Sequence, residues 1–153
     1  MTEQVRISQR SAILIERLRS DGITEEVLIQ SLDQQEEAPL RAASSSDIDF
    51  AEWMNYAAEH GEQLVQAVRD GYRMTFTTVP GMKNWLKYAL DMKAGRDYTE
   101  GEEGRLDGLQ LTLEQAQQLK DTIAVNWVLL EHEDGTASLL LRALLTSSVP
   151  PQL

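Results

Sequence analysis

The run from Asp49 to Gly71 constrains this chain more than any other stretch. Asp49 followed by Glu52 is an approximate capping box, with Asp in place of Ser or Thr. Phe50, Trp53, Met54, Ala57, Ala58, Gly61, Leu64, Val65 and Val68 then recur on one helical face, and Gly71 supplies a stop. This stripe is the clearest helical signal in the chain. Gly61 within it costs roughly 1 kcal/mol relative to Ala in a helix interior, and it marks a place for a kink or a close helix contact.

Downstream, Tyr72 to Thr78 alternates apolar and polar residues and is rich in β-formers, which predicts a strand. Val79-Pro80-Gly81 turns the chain, with Pro80 suited to the first position of a helix whose inner face is Met82, Trp85, Leu86, Ala89 and Leu90. Residues 95–108 set four glycines among five carboxylates and read as an acidic exposed loop. Leu109 to Leu111 reads as a short strand, and Thr112 with Gln115 forms a second capping box. Past Val125 the stripe through Trp127 and Leu130 fits either a helix or a strand. Asp134-Gly135 between apolar runs decides for a hairpin, pairing 126–132 with 136–142.

Upstream lie two short amphipathic segments. Ile13, Leu14, Ile15 and Leu18 give the first its apolar face and Gly22 ends it. Thr24 caps the second, from Glu25 to about Leu32. Gln34 to Asp47 has no apolar periodicity and contains Pro39, as a linker would. The expected fold is α+β, mostly helical, with a small antiparallel sheet and an N-terminal helical hairpin. The expected division is 1–33 hairpin, 34–47 linker, 48–146 compact α+β domain and 147–153 flexible tail. Trp53, Trp85 and Trp127 are expected in one core, with Phe76 also buried, and residues 1–33 are expected to add little to the stability of the rest.

The chain has 153 residues, about one average domain, and no cysteine. Thiol nucleophiles, disulfides and thiolate metal sites are therefore excluded. No stretch approaches the roughly 18 consecutive apolar residues of a membrane span, and no signal-peptide apolar region opens the sequence, so the expected location is the cytoplasm.

The net charge is −11. Such a balance disfavours duplex DNA and anionic membranes, because phosphate binding depends on neutralising cations. Against it stands a locally basic stretch, residues 69–96, with six cations and two acids. Arg69, Arg73, Lys83 and Lys87 from this stretch form a candidate patch for an anion or an acidic partner, although pairing with the acidic arms explains them as well. Tyr72, Phe76, Trp85, Tyr88 and Tyr98 interleave with these cations as in a single-strand stacking surface, a reading the overall acidity opposes.

Other candidates fail on spacing. Residues 24–33 contain Glu25, Glu26 and Asp33 with no Lys or Arg, unlike a DNA-recognition helix. Asp97 to Gly108 carries Glu where an EF-hand needs its sixth-position Gly, and Gly where it needs its final Glu. His60 and His132 are the only histidines. Adjacent strand residues point to opposite faces, so Glu131-His132-Glu133-Asp134 cannot converge on one ion. No catalytic residue, cofactor site or metal site is expected.

The sequence therefore points to an acidic, non-enzymatic interaction or regulatory protein of inhibitor, immunity or adaptor type, binding another protein that is itself basic; self-association stays open. Leu28, Leu32, Glu102 and Glu103 are its candidate partner surface, apolar contacts on one segment and steering charge on another. The opposing expectation is a small enzyme or ligand-binding domain whose site is assembled from distant residues. A flat apolar patch with an acidic rim favours the first class, and a pocket containing His60 with carboxylates, or Arg73 with Lys83, favours the second.

Overall fold

Ser8, Thr24, Asp49, Thr78 and Thr112 each stand just before a helix with an extended backbone, and the side-chain oxygen of each accepts a backbone N–H from the first turn. Each such cap satisfies a donor that the helix leaves orphaned, worth about 1 kcal/mol. The computed structural model describes residues 5–43, 48–101 and 104–143. The fold is α+β and mostly helical, with a small antiparallel four-stranded sheet. It divides into two compact units, Met1–Thr75 and Phe76–Leu153.

The first unit runs β1 (Val5–Ile7), α1 (Gln9–Ser20), α2 (Glu25–Gln34), α3 (Ala38–Ala43), α4 (Phe50–Glu59), α5 (Leu64–Asp70) and β2 (Tyr72–Met74). Its two strands pair in parallel, with Val5 opposite Tyr72 and Ile7 opposite Met74, a ladder absent from the sequence expectations. Helices stand where the two N-terminal segments predict them, but they are not a self-contained hairpin: α2 packs on α5 and α3, and α1 on β2. Residues 34–47, read as a linker, contain α3, whose Leu40 is fully buried. The long stripe is two helices. Gly61 has φ +66°, a left-handed conformation that ends α4 before α5 begins. Ile7, Ile15, Leu18, Leu28, Phe50 and Trp53 form the heart of this unit's core.

The second unit runs α6 (Val79–Leu90), β3 (Thr99–Glu100), β4 (Arg105–Leu109), α7 (Leu113–Thr122), β5 (Trp127–Glu131) and β6 (Ala137–Leu141). The sheet order is β3-β4-β6-β5, antiparallel throughout. The hairpin built on Asp134-Gly135 forms with Trp127 opposite Leu141. The complete capping box at Thr112 and Gln115 is present. The segment read as an acidic loop holds β3 and most of β4, and the tail 147–153 lies outside the described residues.

All three tryptophans are buried, Trp53 in the first unit and Trp85 and Trp127 in the second. Phe76, expected in the core, is 57% exposed, because the strand ends at Met74 and the alternation beyond it has no ladder to act on. The Trp127 indole N–H donates to the Thr77 carbonyl at 2.7 Å, and the Asn126 side-chain amide donates to that same oxygen at 2.9 Å. Among the described residues, no helix is long and apolar enough to cross a membrane.

Candidate functional site

Of the apolar residues of α2, Leu28 and Leu32 are buried while Val27 is 39% exposed and Ile29 half-buried, and this decides what the segment can offer a partner. Leu28 is fully buried and Leu32 is 7% exposed, so the leucines expected on a partner surface are core residues of the first unit. Glu102 and Glu103 lie outside the described residues. The surface that α2 does present is a groove. One concavity of about 490 Å³ runs between Leu32 and Asp33 of α2, Met54 and Ala57 of α4, and Val65 and Arg69 of α5. A second, of about 610 Å³, opens beside it between Glu25, Glu26 and Ile29 of α2 and the same Val65 and Arg69. Asp33, Val65 and Arg69 line both, so the two form one trough along the α2–α5 seam.

The local sequence explains the trough. The turn at Gly61 redirects the chain so that α5 lies on α2 rather than continuing α4. Ala57 and Ala58 line the trough with short side chains, which leaves room that larger residues would fill. Half-buried Ile29 and Val65 supply most of its apolar surface, among the polar side chains of Gln30, Gln35, Gln63 and Gln66.

Its rim is acidic, but the carboxylates differ in what they have left to give. Glu62 is spoken for: it accepts the Ser8 backbone N–H at 2.8 Å and the Ser11 hydroxyl proton, anchoring the start of α1. The Ser11 hydroxyl in turn accepts the Trp53 indole N–H at 2.9 Å. Glu25 sits 3.9 Å from Arg19. Glu26, Asp33 and Asp70 make no hydrogen bond or ion pair through their side chains with another described residue, and neither does Arg69. The groove therefore carries apolar surface at Ile29 and Val65, three unpaired carboxylates and one unpaired cation.

The basic candidates fall in different units. Arg69 and Arg73 belong to the first unit, Lys83 and Lys87 to the second. Arg69 lines the groove, and Arg73 is half-buried on β2, where the strand register sets Arg6 opposite it. Lys83 pairs with Glu100 at 2.9 Å, and the Lys87 ammonium lies 5.2 Å from the Tyr88 ring centre. Nearby, Arg96 pairs with Asp97 at 2.7 Å, and the Lys93 backbone N–H together with Arg96 holds the Asp97 carboxyl below its usual range.

The histidines are engaged locally. His60 Nδ1 bonds the Tyr56 carbonyl at 2.8 Å and its ring stacks on Tyr56. His132 belongs to a cluster that spacing along the chain did not reveal. Its Nε2 lies 2.8 Å from the Ser138 hydroxyl, which donates at 2.7 Å to Asp107, and Asp107 also accepts Arg105 Nε at 2.8 Å. The order is wrong for nucleophilic catalysis. The serine proton goes to the carboxylate rather than to the imidazole, and Ser138 is 1% exposed, so it cannot meet a substrate carbonyl. Among the described residues no three His, Asp or Glu side chains gather as a metal ion would need. Comparison with protein-family models, curated proteins and solved structures gives no match.

Proposed function

We propose that this chain is a non-enzymatic binding protein that captures another protein at the α2–α5 groove. The observation that carries the reading is the combination in that groove of apolar surface at Ile29 and Val65 with unpaired carboxylates at Glu26, Asp33 and Asp70. Apolar contact supplies affinity, while unpaired like charges at the rim raise the encounter rate of a partner of opposite sign and repel others. A cytoplasmic inhibitor, immunity or adaptor role fits this design, in which the surface binds and performs no chemistry. The His132–Ser138–Asp107 cluster gives the alternative of a small enzyme no support, for the geometric reason above.

A photo-cross-linking side chain at position 65 tests the reading directly in cells that make the protein. A single protein species should be captured, and capture should be lost when Asp33 is replaced by Lys. Cross-linking of many proteins, indifferent to Asp33→Lys, would show that the groove selects no partner.

A further inference from the structure

The groove also restricts the kind of element that fills it, an inference that rests on the binding reading above. Its walls are helices and no strand lines it, so an occupant finds no sheet edge to extend. An α-helix rises about 1.5 Å per residue, so the lining residues from Glu26 to Asp33 run roughly 10 Å along α2, the length of about two turns. Glu26, Asp33 and Asp70 along it call for cations on the occupant's flanks. Arg69 complicates a purely cationic occupant, since it lines both concavities and would be left facing like charge.

We propose that the occupant is a basic amphipathic helix of the partner protein. Its apolar anchors, spaced at i and i+3 or i+4, lie on Ile29 and Val65. Lys or Arg residues on its flanks face Glu26, Asp33 and Asp70, and one carboxylate near its middle pairs with Arg69. That carboxylate separates this occupant from a merely basic segment, and it makes the proposal specific.

The test uses the full chain and synthetic helical peptides of about 14 residues, four turns. The first has Leu at the anchor positions, Lys on both flanks and one central Glu; the second replaces that Glu by Lys. Two controls are a composition-matched scramble without helical periodicity and spermine. By fluorescence anisotropy, the first peptide should bind at least about tenfold more tightly than the scramble, and spermine should not displace it at comparable charge concentration. Asp33→Lys and Val65→Arg should each weaken it about tenfold; Asp33 is exposed, so its variant serves even where Val65→Arg disturbs packing. Arg69→Glu should weaken the first peptide and tighten the second. Equal binding of the scramble, displacement by spermine, or an Arg69→Glu effect of the same sign on both peptides overturns the proposal. If no helical peptide binds while a cross-linked partner still depends on Asp33, the helix is the wrong occupant and the binding reading stands. Loss of both removes the two together.

Discussion

The Tyr72 hydroxyl donates to the Glu16 carboxylate at 2.7 Å, tying the start of β2 to the middle of α1 across 56 residues. The same oxygen accepts Arg19 Nη1 at 2.9 Å, and Arg19 reaches on through Nη2 to the Val68 carbonyl near the end of α5. Glu16 is 5% exposed, so removing it strands a phenol and a guanidinium that were oriented around it. Breaking a buried pair from one side costs about 3–5 kcal/mol, and the 34% exposure of the Arg19 side chain places Glu16→Ala at the lower end. Tyr72→Phe removes one hydrogen bond and should cost about 1 kcal/mol. Urea unfolding of both variants checks the order; equal and small effects would mean the cluster is solvated in solution.

The position of Glu16 bears on the N-terminal segment as a whole. Residues 1–33 supply β1, the only partner strand of β2 among the described residues, and Ser11, which holds the Trp53 indole. A chain beginning at residue 46 should therefore lose cooperative unfolding of the first unit, opposite to the outcome the sequence alone leads one to expect. Trp53 is the sole tryptophan there, so the fluorescence of a Trp85→Phe, Trp127→Phe background reports it. A sharp transition in the shortened chain would show that residues 50–75 fold without their neighbours.

Gly61 isolates a backbone effect. A Cβ placed there meets nothing within 4 Å, but φ is +66°. Gly61→Ala should therefore cost about 1–2 kcal/mol through conformation alone, without steric conflict. Differential melting measures it, and a cost near zero would mean that the break between α4 and α5 is not held in that conformation.

Acid should loosen the β5–β6 turn. Hydrogen bonds from the Thr136 hydroxyl and backbone N–H hold the Asp134 carboxyl below its ordinary pKa. A carboxylate with a depressed folded pKa contributes in full above its unfolded value and loses that contribution as pH falls through the folded value. NMR titration should show the Thr136 amide resonance moving with Asp134, below the pH at which free aspartate titrates. Titration at the free-aspartate value would contradict the turn geometry.

What was legible in the sequence was local. Asp49, Thr112 and Asp134-Gly135 act within a few residues of themselves, and each forms the cap or turn its chemistry dictates. The β1–β2 ladder was not legible, since three-residue strands some 65 positions apart carry no periodicity of their own. Leu28 and Leu32 were misplaced for a related reason: an amphipathic face shows that a helix buries something, not against what, and here α5 takes it. The groove follows from that packing and had no signal along the chain beyond Gly61. The His132–Ser138 contact had one. Once Asp134-Gly135 fixes the hairpin, Leu130 lies opposite Ser138, and the two-residue period puts His132 on that same face.

The rate at which the cross-linked partner associates, measured against ionic strength, tests the capture account most directly. The Debye length is about 30 Å at 0.01 M salt and about 8 Å at 0.15 M, so steering by Glu26, Asp33 and Asp70 should fade across that range. Association should slow by about tenfold or more between those concentrations while dissociation changes little, and Glu26→Lys with Asp33→Lys should flatten the dependence. An association rate that ignores both salt and those two substitutions would contradict capture at an acidic-rimmed groove.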